Sequence, residues 1–483
     1  MKKILFFSLL LTFEQVNAQQ WVDTTFKIIK TTVNYGTSVD FAGNNRILDM
    51  DICVPQNDNP PSCGRPLILV IHGGAFMSGS KDEYEIQQIM KDFAKRGYVS
   101  ASINYRIGQF QTSNNVHCNV TQLFNVAWDC SNMADSAEWY RGCFRGIQDA
   151  KGALRYLIAN KNIYHIDSRN VFLTGQSAGG FIALGAAFLD DVSEKHSSCN
   201  TINSVSAPNA IYENACVKQF GWDTTIASMR LSRTDLGSID GDLNLNTGPY
   251  TIKGVGNLFG GMMPGWLTVN SHTIPPAIYL YHQPNDLIVP YNRNRVMAGF
   301  SNCFVNLGCA SLISTPWIYG SGGIRREIEA LKAQGKKVPN YWLDSTTNTA
   351  DCVAQGFNPS MVGHAIDNYK LRTGHMASYF AALIDTAGTC FSGLSKTQTN
   401  QVYLSVQPNP FNNTLQISLH ETAAQALQIM DITGRSLAIQ TEKIGPMDYQ
   451  ITFPENLPNG LYYLLITRYN GAVISKKLVK TNQ

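Results

Sequence analysis

The sequence predicts an α/β fold with a mostly parallel sheet, followed by a small C-terminal β-sandwich. Three observations lead there. Leu67-Ile68-Leu69-Val70-Ile71, Val99-Ser100-Ala101-Ser102-Ile103, Val171-Phe172-Leu173 and Ile278-Tyr279-Leu280-Tyr281 are continuous apolar runs, the pattern of strands covered on both faces. Between them lie amphipathic helices: Ala150, Ala153, Leu154, Leu157 and Ile158 fall on one helical stripe, and Ile86, Met90, Phe93 and Ala94 on another. Strand alternating with helix means βαβ units. Beyond a Ser/Thr/Gln/Asn-rich stretch (FSGLSKTQTNQ), the text changes to short strand-like runs with turn signals, such as Pro458-Asn459-Gly460 before Leu461–Ile466.

The boundaries that follow are 1–18 for a leader, 19–390 for the α/β region, 391–401 for a linker and 402–483 for the sandwich. Lys2 and Lys3, the apolar Ile4–Phe13 and the small residues of Val16-Asn17-Ala18 are the signal-peptide pattern, so the chain is expected to leave the cytoplasm. The 483 residues are 44% hydrophobic and 15% charged, a globular composition that excludes disordered, collagen-like and coiled-coil chains. A net charge of +3 without basic blocks argues against nucleic acid and anionic membranes as partners. No apolar run reaches the ~18–20 residues of a membrane span. The 11 cysteines show no C-x-x-C pair and no zinc-type spacing, so disulfides are expected, with Cys303–Cys309 first and Cys53–Cys63 next.

The chemistry is carried by Gly175-Gln176-Ser177-Ala178-Gly179-Gly180, placed after the strand Val171–Leu173 and before the apolar Phe181-Ile182-Ala183-Leu184. A G-x-S-x-G between strand and helix is a turn that thrusts the serine hydroxyl out at the sheet edge, with a helix N-terminus behind it. Ser177 is the expected nucleophile. His72-Gly73-Gly74-Ala75-Phe76 follows an earlier strand. Residues with little or no side chain let backbone N–H groups approach an oxyanion, so Gly74, Ala75 and Ala178 are the candidate donors and His72 a loop-stabilising residue. The loop has neither G-K-[ST] nor G-x-G-x-x-G, which makes a phosphate cradle the weaker reading.

Acid and base should follow the serine in that order. Asp286, just past the strand Ile278–Tyr281, is the candidate acid, with Asp344 in reserve. Of the nine histidines, His364 and His375 lie late enough to be the base. His364 is favoured because it sits in a loop-like stretch, while His375 begins what reads as the last helix. Asp240-Gly241-Asp242-Leu243-Asn244-Leu245-Asn246 has alternating oxygens, but Leu245 stands where a calcium loop needs glycine, and a solvated loop is the better reading.

The runs from Pro66 to Gly108 and from Asp149 to Gly180 resemble the α/β-hydrolase carboxylesterases, both type-B enzymes and the acetyl-xylan/feruloyl and hormone-sensitive-lipase-like groups. The resemblance implies an α/β-hydrolase fold with an eight-stranded sheet, a Ser–Asp–His triad and ester hydrolysis without a cofactor or metal. Gln176 departs from the Glu usual in type-B enzymes, and the Gln109–Arg145 insert maps to no substrate class. The tail, with Pro408-Asn409-Pro410-Phe411, Asp431-Ile432-Thr433-Gly434-Arg435, Leu457–Tyr462 and Lys476-Lys477-Leu478-Val479-Lys480, is similar to the C-terminal sorting domain of Por-type (type IX) secretion cargo. That likeness implies the type IX machinery as a partner, and a secreted or surface-attached product. The expected function is a secreted serine carboxylesterase, with polymer-linked esters as a substrate class. A serine peptidase of the same fold and a non-catalytic, cholinesterase-like adhesion module are the alternatives.

Overall fold

The computed structural model describes residues 21–56, 58–110, 136–204, 215–216, 232–268, 273–299, 315–346, 363–385, 404–419, 424–431, 436–468 and 473–481. The expected leader, the linker and the Cys303–Cys309 pair lie outside these residues. Eight strands form the main sheet: β1 (Ile28–Val39), β2 (Asn45–Pro55), β3 (Arg65–Ile71), β4 (Val99–Ile103), β5 (Ile166–Gln176), β6 (Ile252–Leu258), β7 (Ala277–His282) and β8 (Tyr341–Ser345). Their spatial order is β1-β2-β4-β3-β5-β6-β7-β8. From β4 onward every neighbouring pair is parallel, and only β1–β2 and β2–β4 run antiparallel. The expected α/β-hydrolase architecture is what forms.

The centre of the sheet shows why. Every residue of β3 is buried. Because side chains alternate across a strand, Leu67, Leu69 and Ile71 enter one core and Ile68 and Val70 the other. The first core packs against helices α2 (Ser136–Ala159), α3 (Ala178–Phe188) and α4 (Ser321–Ala333), the second against α1 (Tyr84–Lys95) and α5 (Tyr369–Leu383). Each fully buried aliphatic side chain contributes about 1.5–3 kcal/mol of transfer energy, so both faces of β3 hold the sheet between helical layers. Parallel strands with helical crossovers bring all their C-terminal ends to one edge. The loops after β3, β5 and β7 meet there.

The tail builds two four-stranded antiparallel sheets. Leu415, Ile417 and Ile451 from one face Ile429, Leu464 and Ile466 from the other in a core of their own, which makes a sandwich.

One expected disulfide does not form. Cys53 lies on β2 with its side chain turned into the second core, where it is a free, fully buried thiol, so it is not bonded to Cys63. Burial pushes that thiol up to about 11, which makes it inert. The Asp240–Asn246 stretch is the expected loop, with Asp240, Asp242, Leu245 and Asn246 exposed, and it is tied down at three points. Asp240 pairs with Lys151 at 2.9 Å, Arg155 donates to the Leu243 carbonyl at 2.7 Å and Asn244 donates to the Tyr35 carbonyl at 2.8 Å. These bonds strap the segment across α2.

Candidate active site

Ser177 stands between β5 and α3 with φ 51° and ψ −120°, a backbone conformation that costs a side-chain-bearing residue about 1–3 kcal/mol. Its neighbours hold it there. The Ser177 N–H donates to the Leu258 carbonyl of β6 at 2.9 Å, and its own carbonyl accepts from Gly180 N at 2.9 Å. A Cβ on Gly175 would lie 2.2 Å from the Gly179 carbonyl oxygen, and one on Gly179 would lie 2.1 Å from the Ile71 carbonyl oxygen. Both contacts are with backbone, so the two glycines of G-x-S-x-G are fixed by sterics alone.

His364 Nε2 lies 2.7 Å from Ser177 Oγ, and His364 Nδ1 lies 2.7 Å from Asp286 Oδ2. The residues expected as nucleophile, base and acid are thus joined in one hydrogen-bonded series. The His364 side chain keeps 12% exposure, whereas that of Asp286 has none. Asp286 Oδ1 accepts the backbone N–H groups of Ile288 at 2.8 Å and Val289 at 3.0 Å. Burial alone would raise the Asp286 carboxyl, but the neighbouring His364 charge and hydrogen bonds from His282 and His364 hold it below the usual carboxylate range. His364 is held from both sides. The following Ala365 carbonyl accepts from Gln283 Nε2 at 2.9 Å, and the Phe259 ring meets the imidazole edge-on at 4.8 Å.

The loop after β3 places the expected oxyanion donors. Gly74, Ala75 and Phe76 all have positive φ, at 97°, 52° and 61°. Two successive carbonyls there are pinned. The Gly73 oxygen accepts from His72 Nδ1 at 2.8 Å and from the Tyr105 hydroxyl at 3.1 Å. The Gly74 oxygen accepts the N–H groups of Met77 and Ser78, each at 2.9 Å. In a trans peptide the N–H points opposite to the carbonyl, so pinning these oxygens fixes the directions of the Gly74 and Ala75 N–H groups. The Ala75 oxygen is held in turn by Gln109 Nε2 at 3.2 Å. Ala178 opens α3, where its N–H has no partner within the helix. None of these three N–H groups has an acceptor among the described residues. Gly73 lies close enough for the loop to cover the serine, since a Cβ there would sit 3.3 Å from Ser177 Cβ.

The rival histidine is elsewhere. His375 is fully buried inside α5, its ring stacked on Trp342 at 4.9 Å and its Nδ1 2.8 Å from Asp344 Oδ2. Asp344, the reserve acid, also accepts from Arg372 and from the Tyr279 hydroxyl. Burial opposes the charge on Asp344, but His375 and Arg372 hold its carboxyl at about 2. That network ties α5 to β7 and β8 and has no hydrogen bond to Ser177. One neighbour of the site went unread in the sequence. His282, at the end of β7, donates toward Asp286 Oδ2 at 3.0 Å. Its place four residues before the acid, at a strand end, was the available signal.

His72 is buried, stacks on Tyr105 at 4.3 Å and is held neutral, its pKa lowered by burial to about 4 despite the bond to Gly73. The folded value lies below the ordinary 6.5. Its contribution to stability is therefore complete above about pH 6.5 and is lost as pH falls toward about 4. Urea unfolding across that window should show declining stability. His72→Asn, whose amide can still donate to the Gly73 oxygen but cannot be protonated, should flatten that part of the decline.

An open parallel sheet with a serine on its strand–helix turn, in hydrogen-bonding reach of a histidine from a later loop, defines an α/β-hydrolase. Residues 50–118 and 143–298 match the BD-FAE family, and residues 405–481 match the secretion system C-terminal sorting domain. The chain is thus built from an esterase domain of the α/β-hydrolase fold and a sorting domain that marks it for export by type IX secretion. No curated protein matches it in sequence. Among solved structures it is similar to Thermogutta terrifontis esterase 2 phosphorylated by paraoxon, at 17% identity and TM-score 0.35, over 73% of this chain and 92% of that one. The propionate-bound esterase from the same organism is 15% identical with TM-score 0.33, over 72% and 93%. Brefeldin A esterase, a bacterial homologue of human hormone-sensitive lipase, is 16% identical with TM-score 0.23, over 36% and 38%. Likeness at this level carries nothing about chemistry.

Proposed function

We propose that this chain is a secreted serine carboxylic-ester hydrolase that works through an acyl-enzyme on Ser177. The observation that carries the reading is the series Ser177 Oγ–His364–Asp286, with 2.7 Å at each link, beside N–H groups that have no acceptor among the described residues. His364 Nε2 takes the proton of Ser177 as Oγ attacks the ester carbonyl, and ionised Asp286 stabilises the imidazolium that forms. The N–H groups of Gly74, Ala75 and Ala178 receive the charge on the carbonyl oxygen. His364 then returns its proton to the leaving alcohol oxygen. Water, deprotonated by the same imidazole, attacks the acyl carbon and releases the acid and free Ser177. In this reading residues 1–18 are a leader removed on export, and the tail hands the enzyme to the type IX machinery for release or surface attachment.

An exported esterase meets polymers, and acetyl or feruloyl groups on polysaccharide, or a polyester, are the proposed substrates. Release assays on acetylated xylan, methyl ferulate, tributyrin and a polyester film test this. Cleavage of peptides and of none of these esters contradicts it. The oxyanion assignment has its own test. Gly74→Ala sets a Cβ 2.2 Å from the Ser78 carbonyl oxygen at φ 97° and must displace the donor loop. It should lower kcat about 10²–10³-fold, as loss of one oxyanion donor does, with little change in KM.

A further inference from the structure

Asp286 Oδ2 carries a second imidazole that the proposed chemistry leaves unused. His282 is fully buried and sets Nε2 3.0 Å from Asp286 Oδ2, the atom that His364 Nδ1 meets at 2.7 Å. A protonated His282 would compete with His364 for the carboxylate charge, but its other nitrogen argues against that state. The Ser321 backbone N–H points at His282 Nδ1 at 3.3 Å, and an amide N–H can only donate, so Nδ1 holds a lone pair. Ser321 Oγ, 3.3 Å from the same nitrogen, accepts from Asn257 Nδ2 at 3.2 Å and keeps its own hydrogen for the ring. These partners assign the neutral Nε2–H tautomer. Its single proton is shared between Asp286 Oδ2 and the Val289 carbonyl at 2.9 Å.

We infer that His282 is a positioning residue for the proposed reaction, a neutral donor that keeps Asp286 Oδ2 in line with His364 Nδ1. The inference rests on the reading of Ser177, His364 and Asp286 given above. The Ile288 and Val289 amides hold only Oδ1 of the carboxylate. His282 fixes the oxygen they do not reach, so the carboxylate cannot swing about its Cβ–Cγ bond. The groups facing the two rings are Tyr291 and Ser321 at His282, Phe259 and Ser177 at His364, and Asp286 between them. Among the described residues Asp286 is the carboxylate that bonds either ring.

The test compares His282→Gln, whose amide N–H can stand in for the imidazole Nε2–H, with His282→Asn, which is too short to reach. For both, kcat and KM on a short p-nitrophenyl ester and Tm are measured, with Ser177→Ala alongside. His282→Asn should lower kcat about ten- to a hundred-fold, the range that a hydrogen bond to a charged group represents at ~1.36 kcal/mol per decade. KM should hardly move. His282→Gln should retain most of kcat. Lowered Tm in both variants with kcat retained in both would mean a purely structural histidine and overturn the inference while leaving the Ser177 reading intact. Activity remaining in Ser177→Ala overturns both. If His282→Asn does not fold, His282→Met, which fills the space but cannot donate, takes its place: lost kcat there beside retained kcat in His282→Gln supports the inference, and retained kcat in both overturns it.

Discussion

Ser177→Ala is expected to lower kcat for short p-nitrophenyl esters by about 10⁴–10⁶-fold, the scale on which serine hydrolases respond to loss of the nucleophile. The alanine removes the oxygen that lies 2.7 Å from His364 Nε2 and leaves the turn itself in place. The conformation at Ser177 is imposed by the Leu258 carbonyl and by Gly175 and Gly179, none of which contacts the hydroxyl. The variant should therefore fold with an unchanged Tm, so that lost turnover reports chemistry. Turnover within about ten-fold of wild type, a loss of no more than ~1.4 kcal/mol in barrier, would remove Ser177 from the mechanism.

The second large effect separates the two late histidines. His364→Ala should lower kcat at least ~10³-fold at a smaller cost in stability, because its side chain is partly exposed and Asp286 keeps its bonds with His282, Ile288 and Val289. His375→Ala should do the reverse. It leaves a cavity beside Trp342 and takes one hydrogen bond from the buried Asp344, a loss of about 2–5 kcal/mol. A thermal melt and a kcat measurement on each variant read both outcomes. The opposite pattern would give the role of base to His375.

The sequence carried the site further than it carried the sheet. The Gly175–Gly179 turn was legible because its glycines answer to backbone contacts that no other residue survives, and those contacts are local. The order Ser, Asp, His singled out Asp286 and His364 before any distance was known, and a loop setting favoured His364. Strand β6 was not legible. Its IKGVGNL has low strand propensity, yet a Cβ on Gly256 would come 2.4 Å from Met376 Sδ, so the glycine belongs to the close packing of α5 on the sheet. The early hairpin β1–β2 was not legible either, since β1 is largely exposed and is placed by pairing with β2, which in turn pairs with β4. Cys53 was misjudged because sequence spacing ignores the pleat, which turns that side chain inward and away from any partner. His282 carried a signal in its place before the acid at a strand end, but its contacts needed three dimensions, since they form only where β7, the Asp286 turn and the start of α4 meet.

The central claim is that Ser177 is an activated nucleophile, and labelling with a fluorophosphonate followed by peptide mass spectrometry tests it most directly. The account predicts one phosphonyl adduct, on the peptide containing Ser177, formed in the wild-type chain and suppressed in His364→Ala. An unlabelled Ser177 in a chain that still hydrolyses esters, or an adduct on a different residue, would contradict it.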